Sequence, residues 1–327
     1  MVSARLRRVM ALTLAVAVVA FLVAYVGPRS VLTTLRDANP LYIFLAFAAY
    51  ALFFVARGFR WQRLLQDRAP NITVGDAANL TAMGWLVSTF VPMKAGDVTR
   101  SAIVAYRSQR NVASIVGTVA VERALDVVGL ALASTVGLVG LAAGAHRLLP
   151  DATRGVLLAW LLPPLGLLVF MVFARTLARR PQKNVVVRYA ALFLEAADEL
   201  RRSPRQIPAL VLWTLASTTC QVVVFTLLFL GLAPNAPVGV VAAGVPLFLL
   251  SFIVSVTPGN VGTYEAAFAG IYFALLGWPP ETLLSMAVTV HLLTITTVTI
   301  LGGGAFILDR LGRVEPQPAP AAAEAKA

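Results

Sequence analysis

The sequence predicts an all-α polytopic membrane protein, an inverted repeat with three spans and one re-entrant hairpin per half, giving six spans and two hairpins. Three observations predict it. Of the 327 residues, 59% are hydrophobic and only 13% charged, and the charges are confined to short stretches between long apolar runs. Lys and Arg recur between those runs in the pattern that membrane topology imposes. Two breaks rich in Pro and Gly also occupy matching places in the two halves.

A bilayer core takes about 20 apolar residues in a helix. Residues 9–26, 40–56, 155–174, 207–232 and 282–308 reach or approach that length without a formal charge. Arg5, Arg7 and Arg8 before the first run resemble a secretory signal, but the run continues to Val26 without a convincing small-residue cleavage site. It reads as an uncleaved first span. With the N-terminus inside, the loop 27–39 is external, and Arg57, Arg60, Arg63 and Arg68 then open an internal loop.

The run 77–93 decides the topology. If it crossed, Lys94, Arg100, Arg107 and Arg110 would face out, and the next parity would expel the positive residues between Arg175 and Arg205. A hairpin that enters from the cytoplasm, turns at 92–96 and returns through 98–106 removes both conflicts. Residues 114–145 then lead out, 155–174 lead in and 207–232 lead out again. The uncharged connection 233–237 follows. Residues 238–256 and 262–276 form a second hairpin, entering from outside, and 282–308 return to Asp309 and Arg310 inside. Most of the 27 Lys and Arg are then cytoplasmic, which assigns the net charge of +12 to topology rather than to nucleic acid.

The stretch 184–203 places Val187, Ala191, Leu194 and Ala197 at helical spacing among charged residues, as an amphipathic surface helix or a short solvated loop helix. The tail 314–327, with Pro316, Pro318 and Pro320, has too little apolar surface to fold alone. The expected organisation is one transmembrane domain, 1–313, with halves 1–150 and 151–313, in a bacterial-type inner membrane. Both termini are expected to be cytoplasmic, with no soluble catalytic domain. The single Cys220 lies in an apolar run and implies no disulfide framework.

The halves are related by an offset of 166 residues that aligns Pro92, Gly96 and Asp97 with Pro258, Gly262 and Thr263, and Thr89 with Ser255. Flanking spans correspond as well, Pro40 with Ile207 and Ser114 with Thr282. Three crossings per half is odd, so the second half must be inverted. Inverted repeats with broken helices meeting near the midplane are a common transporter architecture.

Three motifs carry the candidate chemistry. In Val91-Pro92-Met93-Lys94-Ala95-Gly96-Asp97-Val98-Thr99-Arg100, Pro and Gly break the helix, and irregular backbone at membrane depth survives only inside protein or beside water. The freed amides, with Lys94 or Arg100, would favour an anion such as phosphate, unless the segment is only a basic cytoplasmic turn. The second motif is Pro258-Gly259-Asn260-Val261-Gly262-Thr263-Tyr264-Glu265. Glu265 is the only charged residue between Arg205 and Glu281. An ionisable group at membrane depth points to function, and its plain alternative is a cap or an ion-pair partner that fixes the hairpin.

The third is Glu122-Arg123-Ala124-Leu125-Asp126. Glu122 and Asp126 share a helix face and Arg123 can pair with Asp126, either as a structural lock or as a proton relay and phosphate site. His291 and Gln221 read as packing residues. Gly302-Gly303-Gly304 reads as close helix packing. No spacing supports a metal site, a nucleotide loop or a nucleophile triad, and no cofactor is implied.

The signatures Pro-x-x-x-Gly-Asp-x-x-Arg and Glu-Arg-x-x-Asp, with Pro258-Gly259-Asn260-x-Gly262-x-x-Glu265, resemble the lysylphosphatidylglycerol synthase transmembrane-domain family, also called flippase-like UPF0104 proteins. In two-domain synthases the resemblance implies a membrane part that translocates aminoacylated phosphatidylglycerol and a separate soluble domain that makes it. No such acyltransferase domain fits after Leu308. The expected function is therefore lipid translocation, moving a phospholipid or lipid-linked headgroup between leaflets. Lys94, Arg100 and Arg123 would attract phosphate, and Asp97, Glu122, Asp126 and Glu265 would balance a cationic headgroup or couple protons. The alternative is a non-transporting subunit that anchors a lipid- or glycan-modifying enzyme. An intramembrane enzyme lacks a recognisable catalytic set.

Overall fold

A computed structural model describes residues 27–91, 95–144, 204–251 and 258–311, with isolated positions in 17–24 and 191–198. The expected spans 9–26 and 155–174, the surface helix 184–203, the tail 314–327, and Pro92, Met93 and Lys94 lie outside them, apart from those isolated positions. Among the described residues every regular element is helical. They are α1 (Pro28–Arg36), α2 (Pro40–Leu65), α3 (Val74–Phe90), α4 (Ala95–Arg107), α5 (Val112–Gly144), α6 (Ile207–Leu232), α7 (Val238–Leu250), α8 (Thr263–Leu276) and α9 (Pro280–Leu311). Single 3-10 turns at Pro204–Gln206 and Pro258–Asn260 precede α6 and α8.

Among the described residues, four helical stretches are long and apolar enough to cross a membrane: Pro40–Leu65, Val112–Leu141, Pro204–Leu232 and Pro280–Arg310. Their starts have local causes. The Asn39 side chain accepts a hydrogen bond from the Leu41 amide at 3.0 Å, and Pro40 occupies the first turn of α2, where its missing N–H is no loss. Thr73 and Asp76 form a reciprocal capping box at the start of α3. In the loop expected at 27–39, a short helix forms instead. Pro28 starts it after Gly27 at φ 93°, Leu35 packs against Val288 and Ile295, and Thr34 hydrogen-bonds Ser285 of α9 at 3.3 Å.

The contacts fix the directions of the helices. The Asn39 amide at the head of α2 donates to the Gly231 carbonyl at the foot of α6 at 2.8 Å, so these two 26-residue helices run antiparallel. The helices α3 and α4 fold back on each other, since Arg107 at the end of α4 lies 3.6 Å from Asp76 at the start of α3. The same Arg107 reaches Asp309 at the end of α9 at 2.5 Å. At the opposite end of the bundle α7 and α8 also fold back, with the Tyr272 hydroxyl donating to the Val241 carbonyl at 2.9 Å. The two folded-back pairs meet tip to tip: Phe90 and Val261 share one apolar cluster with Val288 and Ile295.

Small residues allow these approaches. A Cβ on Gly58 would lie 2.6 Å from that of Ala78, and one on Gly302 would lie 2.8 Å from the Ala82 carbonyl oxygen, whereas Gly303 and Gly304 face open space. Among the described residues, only the first glycine of that triplet is a packing contact. Tightest of all is Gly96, where a Cβ would overlap the Gly84 carbonyl oxygen and stand 2.6 Å from Ser88 Oγ. Because the obstruction is backbone, a shift of α4 from α3 is the sole relief. Gly96→Ala is expected to destabilise the protein by about 1–3 kcal/mol, the usual effect of overpacking. The unfolding midpoint in detergent measures this, and an unchanged midpoint would show that α3 and α4 can part freely.

Candidate functional site

Seven charged side chains from three helices converge inside the bundle: Arg57 and Arg60 of α2, Asp97 and Arg100 of α4, and Glu122, Arg123 and Asp126 of α5. Glu122, wholly buried, is the hub. Its Oε1 accepts from Arg57 at 2.6 Å and from Arg60 at 3.2 Å, and its Oε2 accepts from Arg100 at 2.7 Å. Asp126 accepts from Arg57 at 2.7 Å, Arg60 at 2.5 Å and Arg123 at 3.0 Å. Asp97 joins Arg123 at 2.6 Å to Arg100 at 3.1 Å.

Buried charges are tolerable only when paired and hydrogen-bonded, and here each carboxylate bridges at least two guanidinium groups. Arg100 also lies 4.3 Å above the Trp61 ring and donates to Thr81 at 3.2 Å. Among the described residues the cluster holds four positive groups against three negative ones, an excess of one positive charge.

The second constellation lies across the bundle. Gly262, at φ 83°, takes a conformation that favours glycine, and its amide donates to Glu265 Oε2 at 2.7 Å. The other oxygen, Oε1, lies 2.7 Å from His291 Nδ1 of α9. His291 in turn stacks on the Tyr264 ring at 4.0 Å. Glu265 therefore caps the tip and hydrogen-bonds a buried histidine at once.

Between the two constellations lies a cavity of about 350 Å³. Arg57, Arg123 and Asp126 face it from one side, with Tyr50, Trp85, Ser88 and Thr89; Gly259, Asn260, Tyr264 and His291 face it from the other, and Gln221 of α6 contributes to the wall. Its volume suits a ligand of small-molecule size, much less than a two-chain lipid. A headgroup fits, while acyl chains would have to lie outside.

The structure brings together six of the residues singled out in the sequence, Asp97, Arg100, Glu122, Arg123 and Asp126 in one network, with Glu265 on the opposite side. Gly96 packs the first tip against Ser88, and Gly259, Asn260 and Gly262 shape the second. Pro258 begins the turn of the second break, whereas Pro92 and Lys94 lie outside the described residues.

Sequence reasoning placed Arg57 and Arg60 in a cytoplasmic loop. The structure corrects this, because α2 continues past Ala56 to Leu65 and turns both side chains into the core, leaving Arg63 exposed. The signal that would have found them is the charge balance of α5, where Glu122 and Asp126 require more cations than Arg123 provides. His291 and Gln221, read as packing residues, both line the cavity.

The chain matches the family described as Lysylphosphatidylglycerol synthase TM region over residues 8–302, and it belongs to that family. It is a multi-pass membrane protein. Among curated proteins it is similar to "Glycosyltransferase AglD" of Haloferax volcanii, with 26% identity over 341 aligned positions covering 92% of this chain and 54% of the relative. The chain thus spans about half the length of that relative. No solved structure matches it.

Proposed function

We propose that the protein is a lipid translocase of the inner membrane, carrying a phospholipid or lipid-linked headgroup between leaflets through the cavity between the two helical breaks. The carrying observation is that this cavity joins the tips of two oppositely directed helix pairs and has a buried charge network on one wall. In this reading α3–α4 and α7–α8 are re-entrant hairpins, and the whole is one domain of six spans with both termini cytoplasmic. Matched helix lengths support an inverted repeat: 26 and 26 residues for α2 and α6, 13 and 14 for α4 and α8, 33 and 32 for α5 and α9. Arg123, with Arg100 behind it and Lys94 nearby in sequence, would draw a phosphate inward. Asp97, Glu122 and Asp126 hold those cations in place, and His291 forms the opposite wall with Glu265 behind it, which positions the ring or carries a coupled proton.

The test is headgroup exchange across proteoliposomes, followed with labelled phosphatidylglycerol. The wild-type protein is expected to accelerate exchange, and Arg123→Gln to slow it about tenfold, the equivalent of one lost charge-assisted hydrogen bond. Exchange no faster than in protein-free vesicles would exclude this reading for that lipid. A second reading, a membrane subunit anchoring a lipid- or glycan-modifying enzyme, is favoured by the name of the archaeal relative and by its greater length. It predicts co-purification of such an enzyme and no exchange by the chain alone.

A further inference from the structure

Buried polar hydrogens without a partner are rare in folded proteins, and each calls for a reason. Three line the same cavity. The Tyr50 hydroxyl, Arg57 Nε and Trp85 Nε1 are all shielded from solvent and have no hydrogen-bond partner among the described residues. They come from adjoining helices: the Tyr50 and Trp85 ring centroids are 6.4 Å apart, and the Arg57 guanidinium lies 5.6 Å from the Trp85 ring centre. Two of these groups, the indole and the guanidinium, can only donate, and the phenol donates as readily as it accepts.

Three donors left unpaired on one wall, beside a carboxylate, Asp126, that three arginines already occupy, favour an anion. The charge beside it agrees, because the Arg57–Arg60–Asp97–Arg100–Glu122–Arg123–Asp126 network is one positive charge in excess. The acids of that network are already engaged, Asp126 by three arginines, and Glu265 opposite is held by Gly262 and His291. We propose that Tyr50, Arg57 and Trp85 form the anion-binding wall of the cavity and receive the non-bridging oxygens of a monoanionic phosphodiester, the linkage of a glycerophospholipid headgroup. The inference rests on the translocase reading for the lipid attached to the phosphate, though not for the anion itself. It assigns the substrate's recognised group to its phosphate rather than to a cationic headgroup, and it uses two aromatic residues outside every charged motif in the sequence.

The experiment uses the full chain in maltoside micelles, which contain no phosphate. Binding of labelled short-chain phosphatidylglycerol is compared with that of the matching diacylglycerol and of inorganic phosphate. Phosphatidylglycerol is expected to bind and diacylglycerol not to bind. Tyr50→Phe, which keeps the ring, and Trp85→Phe, which keeps a smaller aromatic ring, remove one donor each and are expected to weaken binding by about five- to tenfold, one hydrogen bond apiece.

Complete competition by inorganic phosphate would identify a free phosphate as a sufficient ligand, and failure to compete would identify the lipid phosphodiester; both support the wall. Failure of phosphatidylglycerol and phosphate alike to bind, equal binding of diacylglycerol, or wild-type affinity in both variants would overturn it and leave water as the partner of the three donors. Binding that depends on both residues, with no exchange in proteoliposomes, would remove the translocase reading and leave the anion site standing. Exchange that is insensitive to both substitutions would do the reverse.

Discussion

Replacing Glu122 with Gln is expected to destabilise the protein by about 3–5 kcal/mol, the effect of removing one partner from a buried ion network. The carboxylate accepts from Arg57, Arg60 and Arg100, which come from two helices, while Glu122 itself stands on a third. A neutral amide halves the acceptor capacity and turns an N–H toward a guanidinium group, donor against donor. Four positive charges, three of them buried, would then face two carboxylates. Glu122→Asp keeps the charge while shortening its reach, so it should lose less.

The unfolding midpoint in detergent ranks the three proteins. A Glu122→Gln protein with the wild-type midpoint would show that Asp97 and Asp126 alone hold the four arginines. Apolar replacements of similar volume can be as stable as a buried ion network, so stability alone gives no reason to keep seven charges at this depth. The role proposed for the site would supply that reason.

Within the described residues, helices were legible where an apolar run had a local boundary. The expected stretch 207–232 coincides with α6, and 262–276 and 282–308 differ from α8 and α9 by a few residues, because Pro, Gly and charge punctuate them. The expected span 40–56 stopped short for a physical reason. The arginines 57, 60 and 63 look alike to a topology rule that counts charges, yet they point in different directions on a helix, and only Arg63 reaches solvent. The α5 motif and Glu265 were legible as isolated charges in apolar sequence. Their partners were not, since Glu122 meets Arg57 across 65 positions and Glu265 meets His291 across 26. Tyr50 and Trp85 carry no sequence signal of any kind, because an aromatic residue in an apolar run reads as core until its polar atom is found without a partner.

Glu265→Ala is expected to destabilise the second tip by about 2–4 kcal/mol and to abolish headgroup exchange. Two hydrogen bonds to a charged group are lost together, and each is worth about 1.5–3 kcal/mol before relaxation recovers part of it. One holds the Gly262 amide at the left-handed turn, and the other holds His291 against the cavity wall. Glu265→Gln separates these roles. Its carbonyl oxygen can still accept from Gly262 and its amide can still meet the imidazole, but the charge is gone.

If Glu265 only positions the tip, Gln should restore both the midpoint and exchange. If its charge is used, through a proton shared with His291, Gln should restore the midpoint alone. An Ala variant that unfolds at the wild-type temperature would show that the tip is held by the packing of Tyr264 and Phe268 against Phe248 rather than by the carboxylate. The contrast between Ala and Gln therefore assigns Glu265 by the difference between two measurements.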